Sequence, residues 1–97
     1  MLHLMTLTWN AVGKLTKLKE SLLPALEGID YTWWIKDNAS KDNTVEVAST
    51  WGDKVKVLAY KDNNQNFSAG MNYLFDAAKP DDDDLVLLLN NEMELNK

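Results

Sequence analysis

Four short apolar runs alternate with three stretches of helical periodicity, and this order constrains the fold more than any other feature of the chain. The apolar runs are residues 2–9, 31–35, 54–59 and 85–89. Strands joined by helical crossovers must run parallel, and right-handed crossovers place the helices on the two faces of the sheet. The sequence therefore predicts an α/β fold, a doubly wound three-layer sandwich around a parallel sheet of about four strands.

The three helices have sequence signals for their boundaries and their buried faces. Leucines recur at spacings of three and four through residues 15–26, on one face of a first helix that begins at Lys14. We expect Asp42 or Asn43 to cap the second helix and Ser68 to cap the third. The apolar face of the third helix is predicted to carry Met71, Leu74, Phe75 and Ala78.

Two of the predicted strands differ in their expected burial. Residues 54–59 begin by alternating Lys and Val, which is typical of a strand near the edge of a sheet. Residues 85–89 form an unbroken run of Leu and Val. Such a run is typical of a strand covered on both faces, so we expect it to be central.

Length, charge and composition limit the class of function. A chain of 97 residues is predicted to form a single domain, residues 1–97. A formal net charge of −5 and a pI near 4.6 argue against nucleic acid as a partner. The absence of Cys excludes a disulfide framework, a thiolate nucleophile and sulfur-ligated metals. With no transmembrane segment and no secretory signal in the sequence, we expect a cytoplasmic protein.

The ligand crevice of a doubly wound sheet lies beyond the carboxyl ends of its strands. Polar residues follow each predicted strand in the segments Thr8-Trp9-Asn10, Asp37-Asn38-Ala39-Ser40, residues 61–66 and Asn90-Asn91-Glu92. Trp9 is the tryptophan predicted to stack on a base or sugar, whereas Trp33, Trp34 and Trp51 are predicted to pack in the interior. His3, at the opposite end of the first strand, is a poor candidate for a general base.

The segment from Asp37 to Thr44 has two interpretations of equal weight. Its carboxylate and amide at a strand tip suit hydrogen bonding to the imide edge of a pyrimidine. The same residue types form an ordinary turn with an Asx cap.

The segment from Asn64 to Asn72 opens the third helix with small residues, which would let backbone N–H groups approach a diphosphate. Ordinary capping with a packing glycine is the alternative. Taken alone the segment favours that alternative, because neither a dinucleotide fingerprint nor a P-loop is present.

Acidic residues occur at two places near the end of the sequence. Glu92 follows a buried strand and could bind a divalent cation, or it could belong to a solvated chain end. The run from Asp81 to Asp84 precedes that strand and is interpreted as a solvated loop, with a calcium site as the less favoured alternative.

Taken in order, four of these segments resemble the family 2 glycosyltransferases of GT-A fold, and most closely their rhamnosyltransferase-like members. The segments are Thr8-Trp9-Asn10, Asp37 to Thr44, Asn64 to Asn72, and Leu88 to Glu92. The resemblance covers nearly the whole chain. It implies strand order 3-2-1-4 and the donor-binding half of a truncated GT-A domain.

The resemblance also implies which residues bind a UDP- or dTDP-sugar. The nucleotide-sugar site would contain Thr8, Trp9, Asn10, Asp37, Asn38, Ser40, Asn64, Phe67, Gly70, Asn72 and Asn90. Glu92 would hold a divalent cation, Mg or Mn, as the last acid of the family's Asp-x-Asp motif. Asn90 stands at the first acidic position of that motif, and Asn66 stands where the family usually has Gly.

Family catalytic domains continue into an acceptor-binding half, which supplies the general base and contacts a saccharide or lipid-linked acceptor. No residue of this chain matches that base, so no catalytic residue is assigned. A non-catalytic nucleotide-sugar-binding or assembly module is therefore the alternative function. Without that half the apolar residues 85–89 would be exposed, and we expect a homo-oligomer to cover them.

Overall fold

A computed structural model of the chain describes residues 1–60 and 67–89, with the backbone alone for Tyr60 and residues 67–71. The described residues form strands and helices in strict alternation. They are β1 (Leu2–Thr8), α1 (Val12–Ala25), β2 (Tyr31–Asn38), α2 (Thr44–Ala48), β3 (Val55–Tyr60), α3 (Phe67–Ala78) and β4 (Leu85–Leu88).

The strands form one parallel sheet in the order β3-β2-β1-β4. In the central register, Leu4 of β1 lies opposite Trp33 of β2 on one side and Leu87 of β4 on the other. The predicted α/β class and the strand order 3-2-1-4 are confirmed, as is the edge position of the third strand.

The helices cover both faces of this sheet, because alternate residues of each strand point to opposite sides. On one face, Leu15, Leu18 and Leu22 of α1 are buried in a cluster with Leu4 and Trp33. The leucine spacing that predicted this face is thereby confirmed. On the other face, Leu74 of α3 packs on Met5 of β1. The sheet is therefore doubly wound.

Two tryptophans stabilise the larger core. Trp33 is fully buried and stacks on Trp51, with ring centroids 5.8 Å apart and planes inclined by 20°. Its indole Nε1 donates a hydrogen bond of 3.0 Å to Oγ1 of Thr6. Because the buried N–H has this acceptor, the large ring is accommodated without a polar penalty.

The expectation of a central β4 covered on both faces is wrong. β4 pairs with β1 at the edge of the described sheet. Leu85 is 71% exposed and Leu87 is 46% exposed. The first two crossovers carry the chain from β1 through β2 to β3, so α1 and α2 lie over that half of the sheet. Among the described elements, β4 therefore has no helix on that side.

Two further predictions about the helices are corrected. α3 begins at Phe67, so Ser68 lies in its first turn and is not its cap. Phe75 is 40% exposed, whereas Leu74 and Ala78 of the predicted face do pack against the sheet. Residues one position apart are about 100° apart around a helix, so Phe75 falls on the flank when Leu74 points straight at the sheet.

The amino end of the sheet contains a partly buried polar cluster. The Nε1 of Trp34 donates to Nδ1 of His3 at 3.1 Å. The Nε2 of His3 lies 2.9 Å from Oδ2 of Asp84. Since Nδ1 accepts a hydrogen bond, the ring proton lies on Nε2 and is donated to the carboxylate. His3 thus has a structural environment at the end of the sheet opposite the predicted crevice.

Candidate functional site

An open cleft of about 460 Å³ lies beyond the carboxyl end of β1. Its walls come from the turn after β1, the first turn of α1 and the loop after β2, and the lining residues are Trp9, Asn10, Ala11, Val12, Gly13, Lys14 and Asp42. Trp9 is 52% exposed at this cleft. A large aromatic ring left half in water beside a concave surface can stack on a planar ligand.

Asn10 ties the tip of β1 to the loop after β2. Its backbone N–H donates to Oγ of Ser40 at 2.8 Å, and its side-chain Oδ1 accepts from the N–H of Lys41 at 2.6 Å. Asn10 has a φ of 46°, a left-handed conformation that Asn tolerates better than most residues. The two strand tips predicted to carry the site are therefore held together by side-chain to backbone hydrogen bonds.

Asp42 connects the amino ends of α1 and α2. Its Oδ2 accepts from the N–H of Val12 at 3.3 Å, and its Oδ1 accepts from the N–H of Thr44 at 3.1 Å and from the Thr44 hydroxyl. The bond from the Thr44 hydroxyl is the main cause of a pKa of Asp42 below its usual 3.8. Of the two predicted caps for the second helix, Asp42 supplies the side-chain oxygens and Asn43 does not.

Asp37 is 1% exposed, and both of its oxygens accept hydrogen bonds from Ser40. The Ser40 N–H donates to Oδ2 at 2.9 Å and the Ser40 hydroxyl donates to Oδ1 at 2.5 Å. This is the turn that the residue types predicted as one alternative. The contact between Asp37 and a base stays a prediction, and it would require the Ser40 hydroxyl to move aside or the base to share these oxygens.

Lys36 is a buried charge at the same strand tip that the sequence reasoning did not single out. Its side chain is 0% exposed, and its Nζ donates to Oδ1 of Asn38 and lies 5.4 Å from the ring centroid of Tyr73 on α3. The available signal was a lysine in an otherwise apolar and aromatic strand. Asn38 itself is partly exposed at the last position of β2.

The structure brings together only some of the predicted site residues. Thr8 is buried and pairs with Asp37 in the sheet register. Asn72 is exposed on α3. Phe67 and Gly70 lie in the first turns of that helix. Three further predicted residues, Asn64, Asn90 and Glu92, lie outside the described residues.

A divalent cation was predicted at Glu92. Among residues 1–60 and 67–89, no group of three or more His, Asp or Glu side chains is placed to hold a metal ion. Glu92 itself lies outside the described residues, so the cation at this position stays a prediction. The run from Asp81 to Asp84 lies in the loop before β4, as predicted, and its first three residues are exposed.

The strand order agrees with a comparison of the sequence with protein families. The sequence model of glycosyl transferase family 2 matches residues 4–97. The chain belongs to this family. Family 2 membership supports glycosyl transfer as the general activity and agrees with a GT-A type of fold.

No curated protein matches the chain. In the part of the chain that the structure describes, no helix has both the length and the apolar character needed to cross a membrane.

Proposed function

We propose that this chain is the donor-binding half of a rhamnosyltransferase-like family 2 glycosyltransferase. It binds a UDP- or dTDP-sugar and, together with an acceptor-binding half, transfers the sugar to a saccharide or lipid-linked acceptor. Transfer is a substitution at the anomeric carbon, in which the acceptor oxygen forms the new bond and the nucleoside diphosphate leaves with the old one.

The observation that supports this proposal most strongly is the cleft beside Trp9. It lies at the carboxyl end of a central strand, where doubly wound sheets bind their ligands. The half-exposed Trp9 ring lines this cleft and offers an aromatic face to a nucleobase.

The charges around the cleft indicate which part of the nucleotide-sugar donor binds there. Asp42 already accepts a hydrogen bond from the N–H of Val12 at the start of α1. Lys14 lines the same cleft and would attract a phosphate, but the Asp42 carboxylate lies directly against the helix terminus, where it would repel a diphosphate. We therefore assign the nucleoside to the cleft and the diphosphate to the start of α3, where Gly70 lies in the helix.

Titration calorimetry of the purified chain with UDP and dTDP tests the proposal. Trp9→Ala should weaken binding about tenfold, since base–aromatic stacking is worth roughly 1–3 kcal/mol. Trp9 is also half in water, so the variant should unfold at nearly the same temperature as the wild type.

Ile29→Ala is the matched control, because Ile29 is 42% exposed just before β2, at the opposite end of the sheet. It should bind UDP like the wild type. Equal UDP affinity of the wild type and Trp9→Ala would contradict the assignment of the nucleoside to this cleft.

A non-catalytic binding or assembly module is the second candidate. It is favoured by one observation, that Ser40 occupies both oxygens of the buried Asp37, the residue predicted to contact the base. No heat change with either nucleotide at millimolar concentration, in a chain that remains folded, would select this candidate over the first.

A further inference from the structure

The Ser40 hydroxyl lies between the turn after β1 and the buried end of β2. It accepts a hydrogen bond of 2.8 Å from the backbone N–H of Asn10 and donates one of 2.5 Å to Oδ1 of Asp37. A hydroxyl has a single proton, and here that proton is directed at the carboxylate. The oxygen is therefore left to accept from Asn10. The three groups form a chain of hydrogen bonds with one direction, from Asn10 through Ser40 to Asp37.

Asp37 is the fixed end of this chain. It pairs with Thr8 of β1 and Ala59 of β3 in the sheet register, and it is 1% exposed. Its second oxygen, Oδ2, accepts from the backbone N–H of Ser40 at 2.9 Å. Hydrogen bonds to a carboxylate are shorter and stronger than those between neutral groups. The two bonds thus hold both the backbone and the hydroxyl of Ser40.

Asn10 is the end of the chain that reaches the cleft. It lines the cleft beside Trp9, whereas Asp37 and Ser40 do not line it. Its φ of 46° is uncommon for residues other than Gly, so the backbone needs contacts that keep it there. The bond to the Ser40 hydroxyl is such a contact, and so is the bond from the N–H of Lys41 to Oδ1 of Asn10. The backbone that carries Trp9 into the cleft therefore depends on Ser40.

We propose that Asp37 and Ser40 are positioning residues for the nucleoside cleft: the carboxylate orients the hydroxyl, and the hydroxyl holds the Asn10 backbone beside Trp9. This role rests on the proposed function. Asp37 then acts on the nucleoside through Ser40 and Asn10, and it does not touch the base. The N3–H of uracil is the donor that a carboxylate would bind, so this donor is not needed for affinity.

The first arm of the test uses NMR of the free protein. In Ser40→Ala the backbone N–H of Asn10 should exchange with solvent about fivefold faster, the effect of one net hydrogen bond, and the indole N–H signal of Trp9 should shift. Ser40→Thr keeps the hydroxyl and should restore the slow exchange. Ser49→Ala, at an exposed serine after α2, is the matched control and should leave both signals unchanged. Unchanged Asn10 and Trp9 signals in a folded Ser40→Ala would overturn the proposal.

The second arm measures UDP affinity by calorimetry. Ser40→Ala should weaken binding about fivefold, because the nucleotide must then fix the turn itself, and Ser40→Thr should bind like the wild type. Asp37→Asn should weaken binding by a similar factor, since its amide has only one oxygen for the two Ser40 donors. In the double variant the loss should not exceed the larger single loss, because both residues act along one chain. Additive losses would overturn the proposal.

A nucleotide methylated at N3 separates the indirect role of Asp37 from a direct contact. 3-Methyluridine diphosphate lacks the N3–H donor and keeps the ring face that stacks on Trp9. The wild type should bind it within about twofold of UDP. A wild type that binds UDP about tenfold more tightly, the size expected for a lost hydrogen bond to a carboxylate, would show that the base is held at N3 and would overturn the indirect role.

The Ser40 variants keep the test decisive if Asp37→Asn does not fold, because Ser40 is only partly buried. The outcomes also separate this role from the proposed function. Equal UDP affinity of the wild type, Ser40→Ala and Asp37→Asn would overturn the positioning role and leave the donor-site proposal intact. Binding of neither nucleotide by the folded wild type would overturn both, even if the Asn10 signal responds to Ser40→Ala.

Discussion

The turns at the two strand tips depend on single residues with left-handed backbones. Asn10 has a φ of 46° and Ala39 has a φ of 60°. Asn suits this region because its short side chain bonds locally, as it does here to Lys41. Ala has no such compensation, so the turn between Asp37 and Ser40 carries local strain.

Replacement of Ala39 by Gly should relieve this strain. We expect Ala39→Gly to raise the free energy of unfolding by about 1 kcal/mol, since a non-glycine residue at positive φ costs roughly 1–2 kcal/mol and the greater freedom of Gly in the unfolded chain returns part of it. Denaturant unfolding measures the change. Ala77→Gly, on an exposed helical position, is the control and should lower stability by about 1 kcal/mol. A stability loss in Ala39→Gly would count against strain at this turn.

Some of the contacts at the strand tips could be predicted from the sequence, and others could not. The carboxylate of Asp37 and the cap at Asp42 were predictable, because their residue types bond within the next few positions. The bonds from Asn10 to Ser40 and Lys41 were not, since they join residues 30 and 31 positions apart through the register of two strands. Lys36 was missed because its burial follows from α3 lying above it, which its own strand does not reveal.

Among the elements, β4 pairs with β1 along the backbone, and Asp84 adds side-chain contacts at the start of β4. The carboxylate accepts from the backbone N–H of Asp81 at 3.0 Å and from Nε2 of His3 at 2.9 Å, and it lies 3.1 Å from the amino group of Met1. The acceptor bonds, first that from Asp81 and then that from His3, lower the pKa of Asp84 from 3.8 to about 2. The loop before β4 was predicted from its charge to be solvated. Its last residue, Asp84, also holds the start of β4 against the start of β1 through His3 and Met1.

This shift makes the stability of the fold depend on pH. A carboxyl with a lowered pKa in the folded state stabilises the fold above its unfolded pKa, and the contribution is lost as the pH falls through the folded value. The contribution of Asp84 should be complete above about pH 4 and should disappear toward pH 2.

Denaturant unfolding of Asp84→Asn between pH 6 and pH 2 measures this contribution. The stability difference between the wild type and this variant should be largest near pH 6 and should shrink below pH 4. Asp82→Asn, the same change at an exposed position of the same run, should follow the wild type throughout. A difference that does not vary with pH would refute the role of the charged carboxylate.

At the scale of the whole molecule, the order of elements determined the class of the sheet, and the crossover rule then placed helices on both faces. The same reasoning could not give the burial of β4. An apolar run indicates that a strand should be buried on both faces. It does not indicate whether another element of the chain covers those faces. Leu85, Leu87 and Leu88 remain exposed on β4, and Leu89 beyond it is buried.

This exposed strand supports the proposal of a homo-oligomer. β4 is an edge strand of the described sheet and exposes apolar side chains. Such a strand is a surface for association, so sedimentation velocity should show a dimer or larger species that dissociates on dilution. Leu87→Lys should shift the population toward monomer, because it places a charge in the contact. Ile29→Lys, at an exposed site before β2, should leave the association unchanged. A wild type that stays monomeric at high concentration would contradict this proposal.

The ties that Asn10 makes to Ser40 and Lys41 have a thermodynamic meaning for any molecule that enters the cleft. Because these hydrogen bonds already hold the loops around the cleft, the loops lose little backbone entropy when a ligand binds. The free energy of the favourable contacts with the ligand then contributes almost fully to affinity. Recognition then depends on the shape already present between the first two strands, in the manner of a preorganised receptor.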